Sequence, residues 1–337
     1  MEFIFRSLKV KWNRSSVGLD MGAGERLTNL RFADDVLLMA DSKKRMQSML
    51  EDLSAESAKH GLHLHPDKSK VLTNFHGAAS QRLKVLDMSI EILNPDASLK
   101  YLGRKLCMSG LHDEELSSRI RAGWATFTRH RHELTNKKYP LRCRLRLFEA
   151  TVGAAVLYGC EAWTLKLDQQ KRLRTTQRKM LRAILGMKRR VVQREGEDGN
   201  TDGTETASND TDTTEDDLEA WSDSLKRTTR TAEDRLTAAN QEEWVVCWRR
   251  RQWRWAGKLA GTNMNKWLQH AFRWCLPVHG RRGVYRAQGR PLKRWDTDLQ
   301  DFTVQHALGT SWEQLAKNAE GWAELENFYV KWVLEKC

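Results

Sequence analysis

No apolar run in this chain approaches the roughly 20 residues that a membrane-spanning helix needs; the longest, such as 151–158, fall far short. The opening Met1-Glu2-Phe3-Ile4-Phe5-Arg6 places an acid at position 2 and leads into no long apolar stretch, so no secretory signal is visible. The six cysteines (Cys107, Cys143, Cys160, Cys247, Cys275 and Cys337) contain no C-x-x-C and lie near no histidine pair. Zinc ligands usually come in close pairs, so this spacing argues against a zinc site. It predicts reduced thiols inside the cell, nuclear and/or cytoplasmic, rather than a secreted protein. Tyrosine is scarce, five residues against fourteen tryptophans. Two stretches each lack one sign of charge: 195–219 holds eleven acids and no Lys or Arg, and 244–295 holds thirteen Lys/Arg, seven Trp and no acid.

Those gaps change the meaning of the net charge. The 337 residues carry +13, and without the acidic stretch the other 312 carry +24. A balance of that size favours a polyanionic partner and argues against a small-metabolite enzyme working alone. A membrane surface is the weaker candidate, because the basic residues are spread over loops as well as one helical face.

The chain reads as strands mixed with helices up to residue 110, then as helices. Phe3, Ile4, Phe5, Leu8 and Val10 suit a short helix at 2–12. Two short apolar stretches around Asp34-Asp35 read as a hairpin with both acids at its tip. Ser42 caps a helix with Met46, Met49, Leu50, Leu53 and Ala58 at helical spacing, ending before Gly61. Leu62-His63-Leu64-His65 alternates as a strand, Pro66-Asp67 turns, and 99–108 suggests another hairpin. Helices are expected at 111–134, 141–158 and 168–187. The last buries Leu173, Gln177, Met180 and Ile184 and carries Lys171, Arg172, Arg174, Arg178, Lys179 and Arg182 on its other faces. That pattern fits a solvated amphipathic helix; the following Lys188-Arg189-Arg190 favours a phosphate-facing surface.

The acidic stretch has almost nothing apolar to offset ordering entropy and is expected to be a disordered linker dividing the chain in two. Beyond it, Trp244, Trp248, Trp255 and Leu259 fit one helical face, with Arg249, Arg250, Arg251 and Arg254 on the same helix. The tryptophans read as the core of a small helical domain, with one or two open to stacking on unpaired bases. The arginines, together with Arg290, Lys293 and Arg294, have no acid nearby in sequence and point to a nucleic-acid surface.

An Asp-Asp pair alone says little, since surface acid pairs are common. Here Phe32-Ala33 before it and Val36-Leu37-Leu38 after it would bury the hairpin and leave only the acids to explain. In that setting Phe32-Ala33-Asp34-Asp35 resembles the catalytic motif of reverse transcriptases from non-LTR (LINE-like) retrotransposons. In order after it, Gly61-Leu62-His63-Leu64-His65-Pro66-Asp67-Lys68-Ser69-Lys70 is similar to the family's next motif, with His65 and Ser69 departing from the usual Asn and Thr. Tyr101-Leu102-Gly103 resembles the primer grip, and Leu157-Tyr158-Gly159-Cys160-Glu161-Ala162-Trp163 the thumb region. Arg254-Trp255-Ala256-Gly257-Lys258-Leu259 and Gly289-Arg290-Pro291-Leu292-Lys293-Arg294-Trp295 resemble the tail of such reading frames.

The resemblance implies an α+β fold: a partial polymerase palm at 1–110, a helical thumb at 111–193, the acidic linker at 194–230 and a helical, basic C-terminal region at 231–337. It implies RNA-directed DNA polymerisation with two Mg²⁺ ions, a nucleotidyl transfer to a primer 3′-hydroxyl. The ions would be held by Asp34 and Asp35, with Lys68 near the departing pyrophosphate and Tyr101, Leu102 and Gly103 gripping the primer. The implied partners are an RNA template, a DNA primer and dNTPs, with no membrane.

Successive residues of a strand point to opposite faces, so Asp34 and Asp35 cannot both aim at the metals and a further carboxylate is required. The family supplies it from a Phe-x-Asp-x-x-x-Ala-Phe motif upstream. None of Glu2, Asp20 and Glu25 stands in that context. The chain is therefore expected to be N-terminally truncated and inactive alone, unless a complementing chain brings the missing palm and fingers. The competing expectation is a non-catalytic nucleic-acid-binding protein derived from such an element.

Overall fold

The computed structural model describes residues 2–21, 26–74, 82–108, 112–191, 218–261, 293–306, 308 and 311–336. In chain order these form α1 (Glu2–Arg14), β1 (Leu19–Asp20), β2 (Arg26–Leu27), β3 (Asn29–Phe32), β4 (Asp35–Leu38), α2 (Lys43–Ala58), β5 (Lys70–Leu72), β6 (Arg82–Val85), β7 (Met88–Leu93), β8 (Ser98–Tyr101), β9 (Arg104–Cys107) and α3 (Asp113–Arg129). Helices follow: α4 (Arg131–Thr135), α5 (Leu141–Phe148), a π-helical turn at Glu149–Gly153, α6 (Ala154–Val156), a 3₁₀ turn at Cys160–Ala162, α7 (Leu167–Leu185), α8 (Trp221–Ala238) and α9 (Trp244–Gly261). The described residues close with α10 (Thr297–Gln305), α11 (Trp312–Leu315) and α12 (Ala319–Glu335). The mixture is α+β, as expected. It divides into two compact units, one of Met1–Ser118, Glu161–Thr164 and Arg251–Cys337, the other of Arg119–Cys160 and Leu165–Arg250.

In the first unit, Ile4, Phe5, Leu8 and Trp12 recur every three or four residues and make the buried face of α1. That face packs on Met49 and Leu53 of α2 and on Val36 and Leu38 of β4. Asp52 of α2 accepts from the Trp12 indole at 3.0 Å and pairs with Lys11 at 2.6 Å, which fixes the register of the two helices. The Ser42 hydroxyl accepts the Arg45 N–H, the expected cap of α2, and Gly61 ends the helix region at φ 68°. Residues 62–65, expected as a strand, join no ladder: Leu64 still packs inward, so an extended segment satisfies the same alternation without a partner. A three-stranded sheet of order β5-β7-β6 follows, with Leu83, Val85, Ile90 and Ile92 buried on one face against Leu50. β8 and β9 form a separate antiparallel hairpin.

The C-terminal helices of this unit close on aromatic rings. Trp253 stacks on Trp322 with centroids 3.6 Å apart, and meets Tyr329 at 4.5 Å and Phe302 edge-on at 5.7 Å. Each of the two indoles donates to the other's backbone carbonyl, at 2.9 and 3.0 Å. Gly257 makes room for this pair, since a Cβ there would lie 2.8 Å from the Trp322 ring. The buried face of α9 runs through Trp244, Trp248, Trp253, Ala256 and Leu259. Trp253 thus takes the core place expected of Trp255, which is half-buried.

In the second unit, α7 buries Leu173, Gln177, Met180 and Ile184, the face expected from spacing. Arg144 is buried and donates to the carbonyls of Leu134, Tyr139 and Ile184 at 2.8 to 3.1 Å, closing the ends of α4 and α7. The helix expected to run through 141–158 widens at Glu149–Gly153. There the Glu149 carboxylate accepts from the Trp244 indole at 3.3 Å, and a Cβ on Gly153 would stand 2.5 Å from that carboxylate. The wider turn accommodates a polar side chain that reaches a partner far along the chain.

The acidic stretch does not separate the two units, because residues on both of its flanks belong to the second. Residues 192–217 lie outside the described residues. Val191 and Leu218, at their two ends, form an antiparallel bridge. The boundary expected at 230/231 falls inside α8, which starts at Trp221 and buries Ser224, Thr228, Ala232 and Leu236. Acid-rich composition had hidden this helix, since its spacing becomes visible only past Glu219.

Candidate active site and nucleic-acid interface

β3 and β4 pair antiparallel with Phe32 opposite Asp35, and Ala33 and Asp34 make the turn. Ala33 has φ 53°, the left-handed backbone that a two-residue hairpin turn requires at its first position. Directly opposed residues share a face. Arg31 and Val36 therefore lie on one side with Asn29 and Leu38, while Leu30 and Leu37 lie on the other with Phe32 and Asp35. The first side meets the α1–α2 core: Val36 and Leu38 pack there and the Arg31 guanidinium lies 4.6 Å from the Phe5 ring centre. The second side keeps Leu30, Phe32 and Asp35 exposed. Only Asp35 belongs to a strand, so the alternation argument that set the two acids on opposite faces does not govern Asp34, which sits in the turn. Both acids are exposed, and neither is ion-paired among the described residues.

The second hairpin turns through Leu102 (φ 47°) and Gly103 (φ 77°), both left-handed, as a tight turn of the primed type demands. Tyr101 is half-buried, and its hydroxyl is pushed above the ordinary tyrosine range by burial and then by the charge of Asp35. Tyr101 of the expected primer grip thus feels the charge of Asp35 of the expected catalytic pair. Lys68 lies exposed in the 66–68 turn and pairs with neither acid.

One side chain that sequence reading missed braces this hairpin. Glu115, in the first turn of α3, is fully buried, and its Oε2 accepts the Lys105 N–H at 2.6 Å. Its Oε1 stands 3.6 Å from Arg104 Nε. In sequence it is the third of three successive acids opening a helix, and nothing there distinguishes it from its neighbours.

Two Mg²⁺ ions need more carboxylate than this. Among the described residues no three His, Cys, Asp or Glu side chains converge to hold an ion. Glu2 is taken by Arg31 at 3.0 Å, Asp20 stands opposite Arg26 in the β1–β2 ladder, and Glu25 lies outside the described residues. The described residues therefore do not fit a two-ion centre.

The basic residues divide into engaged and outward ones. Arg174 meets Glu243 at 3.3 Å, Arg178 pairs with Glu233 and Glu243, and Arg182 donates to Thr229 at 3.0 Å. Burial, then Arg178, lowers the Arg182 pKa. These three side chains engage α8 and the Glu243 that precedes α9, whereas Lys171, Arg172 and Lys179 are exposed and unpaired among the described residues. Arg249 is buried with its guanidinium 4.0 Å from the Trp248 ring centre, and Arg251 is half-buried. Arg250 pairs with Glu242 and Arg254 with Glu326, both at 2.8 Å. Lys293 pairs with Asp298 at 2.6 Å and Arg294 with Asp296 at 3.2 Å. The expectation drawn from the lack of acids nearby in sequence is corrected: the partners of Arg250, Lys293 and Arg294 lie just outside 244–295, and that of Arg254 lies far along the chain on α12. Arg290 lies outside the described residues. Of the tryptophans in α9, Trp244, Trp248 and Trp253 are core.

Lys188 and Arg190 are exposed, while Arg189 donates twice to the Glu219 carbonyl, at 2.7 and 3.0 Å. The Glu219 carboxylate pairs with Arg227 and accepts the Arg190 N–H, and its pKa falls to about 2. The hydrogen bond from Arg227 is the largest cause. The folded value is depressed, so the stabilisation is complete above the ordinary carboxylate range and is lost as pH falls from about 4.5 towards 2. The protection of the Arg190 and Glu219 amides, taken relative to their intrinsic exchange rates at each pH, is expected to fall across that window, ahead of that of the amides of β7.

Residues 1–106, which include both hairpins almost entirely, match the family model described as reverse transcriptase (RNA-dependent DNA polymerase). The chain is also similar to an uncharacterised transposon-derived protein of Caenorhabditis elegans, 27% identical over 314 residues, which cover 89% of this chain and 95% of that one. No solved structure matches. Among the described residues no helix is long and apolar enough to cross a membrane. These matches support the reading of a retrotransposon reverse transcriptase, through its first third by family and through most of its length by a transposon-derived relative.

Proposed function

We propose that this chain is part of a LINE-like reverse transcriptase: palm at 1–110, thumb at 111–193, and a C-terminal region that extends the nucleic-acid surface. Its task is to hold an RNA template and a DNA primer, placing the primer end between the Asp34–Asp35 hairpin and the Tyr101–Gly103 turn. The family match over both hairpins carries the reading, and the charge of Asp35 acting on the raised Tyr101 hydroxyl supports it. Enzymes of this family generally use Mg²⁺, and Asp34 and Asp35 are the acids available for it. A complementing chain supplying a further carboxylate would complete the ligand set. Phosphate contact falls to the outward Lys171, Arg172, Lys179 and Lys188 rather than to Arg174, Arg178 and Arg182.

Primer–template binding measured against salt tests the surface. Log affinity is expected to fall linearly with log salt, and each cation that meets a phosphate contributes about 0.7 to 0.9 to the slope. Replacing Lys171, Arg172 and Lys179 by alanine is expected to flatten that slope, whereas salt-insensitive binding would overturn the reading. A primed RNA template with dNTPs and Mg²⁺ tests the chemistry. The chain alone is expected to bind and not extend the primer. Robust extension abolished by Asp34→Ala would show that the ligand set is complete in this chain. The competing reading, a nucleic-acid-binding derivative with Asp34 and Asp35 as relics, is favoured by the lack of a third converging carboxylate among the described residues. It predicts that no complementing chain restores extension.

A further inference from the structure

Glu115 combines features that are costly to hold together. A carboxylate taken fully out of water loses its hydration and is tolerated only where hydrogen bonds or cations replace it. Here the replacements are specific. Tyr101 and Arg104 close the hairpin turn as a pair, so the next pair, Lys100 and Lys105, points its backbone N–H groups away from the partner strand. The Lys105 N–H is thus an edge donor of β9 with no strand to receive it, and Glu115 Oε2 takes it at 2.6 Å. The same carboxylate sits near Arg104 Nε, and Glu115 lies within the first turn of α3, where the helix dipole favours negative charge. A short hairpin of two strands is marginal by itself and needs an outside anchor to hold one orientation.

We propose that Glu115 is a positioning residue for the primer-holding turn: its carboxylate ties β9 to the start of α3 and so fixes the orientation of the Tyr101–Gly103 turn. This rests on the proposed primer–template function. It goes further by naming the side chain that sets the hairpin's angle without touching nucleic acid. Glu115 acts through the Lys105 amide and Arg104, the first of which asks for an acceptor of the right reach. Glutamine preserves that acceptor, aspartate shortens the reach by one methylene, and alanine removes it.

The test compares Glu115→Gln, Glu115→Asp and Glu115→Ala in the full chain by two independent readings. The first is hydrogen exchange at the Lys105 amide, followed by NMR. Wild type and Glu115→Gln are expected to protect that amide, and Glu115→Ala to lose the protection as its acceptor disappears. The second is primer–template affinity. It is expected to drop about tenfold in Glu115→Ala, the effect of roughly one lost charge-assisted hydrogen bond, with an unchanged salt slope because no phosphate contact is lost. If Glu115→Ala does not fold, Glu115→Asp carries the same comparison. A folded Glu115→Ala or Glu115→Asp in which the Lys105 amide stays as protected as in the wild type overturns the proposal. Failure of the wild type to bind primer–template overturns the function instead, and exchange at the Lys105 amide still decides the role of Glu115.

Discussion

Trp253→Ala is expected to destabilise the C-terminal helical core by about 3–5 kcal/mol, the range for removing a fully buried aromatic side chain. A cost of that size is expected because three things disappear at once. The ring leaves a stack with Trp322 and Tyr329 and an edge contact with Phe302. The Trp322 carbonyl loses its indole donor, which had approached to 2.9 Å. A cavity remains against Gly257, whose missing side chain cannot help to fill it. Urea unfolding followed by near-ultraviolet circular dichroism should show the aromatic signal melting at a lower midpoint. The far-ultraviolet signal of the second unit should be retained to higher denaturant. A loss below about 1 kcal/mol would mean that the ring pair is not part of a packed core.

The second large effect is expected in the other unit. Arg144→Met keeps much of the volume and removes the guanidinium, leaving the carbonyls of Leu134, Tyr139 and Ile184 without the donor that had met all three. Hydrogen bonds from a charged donor are worth about 1.5–3 kcal/mol each. Removing one member of a buried network strands the others, so a total near 3–5 kcal/mol is expected. Two of the acceptors lie at or near helix C-termini, where a cation also offsets the dipole. Thermal unfolding of the variant should expose the start of α5 and the end of α7 to hydrogen exchange together. Protection of the α7 end unchanged from wild type would show that Arg144 does not join them.

What the sequence made legible was local. The faces of α1, α2 and α7 follow from spacing within one helix, and both hairpins from turn residues between alternating apolar stretches. Leu62–His65 misled because alternation records which residues face inward, and a lone extended segment meets that requirement as well as a strand does. The π-helical turn was hidden because its cause, the Trp244 indole on Glu149, lies 95 residues away. The arginines were misread for a related reason. Arg174 and Arg178 belong to a helix whose acids come from α8 and from the residue before α9, a pairing that no window along the sequence contains. The candidate site was legible as motifs, and its bracing was not. Nothing in the spacing of Tyr101 and Glu115 reveals that the second braces the hairpin of the first.

The bridge between Val191 and Leu218 has a consequence for how this chain can vary. With those two residues held together, the chain leaves the described part of the second unit and rejoins it at one point, where Glu219 pairs with Arg227. The described helices on either side are therefore joined through their own contacts as well as through the covalent chain. New termini placed between Val191 and Leu218 are expected to leave every described helix of the unit intact.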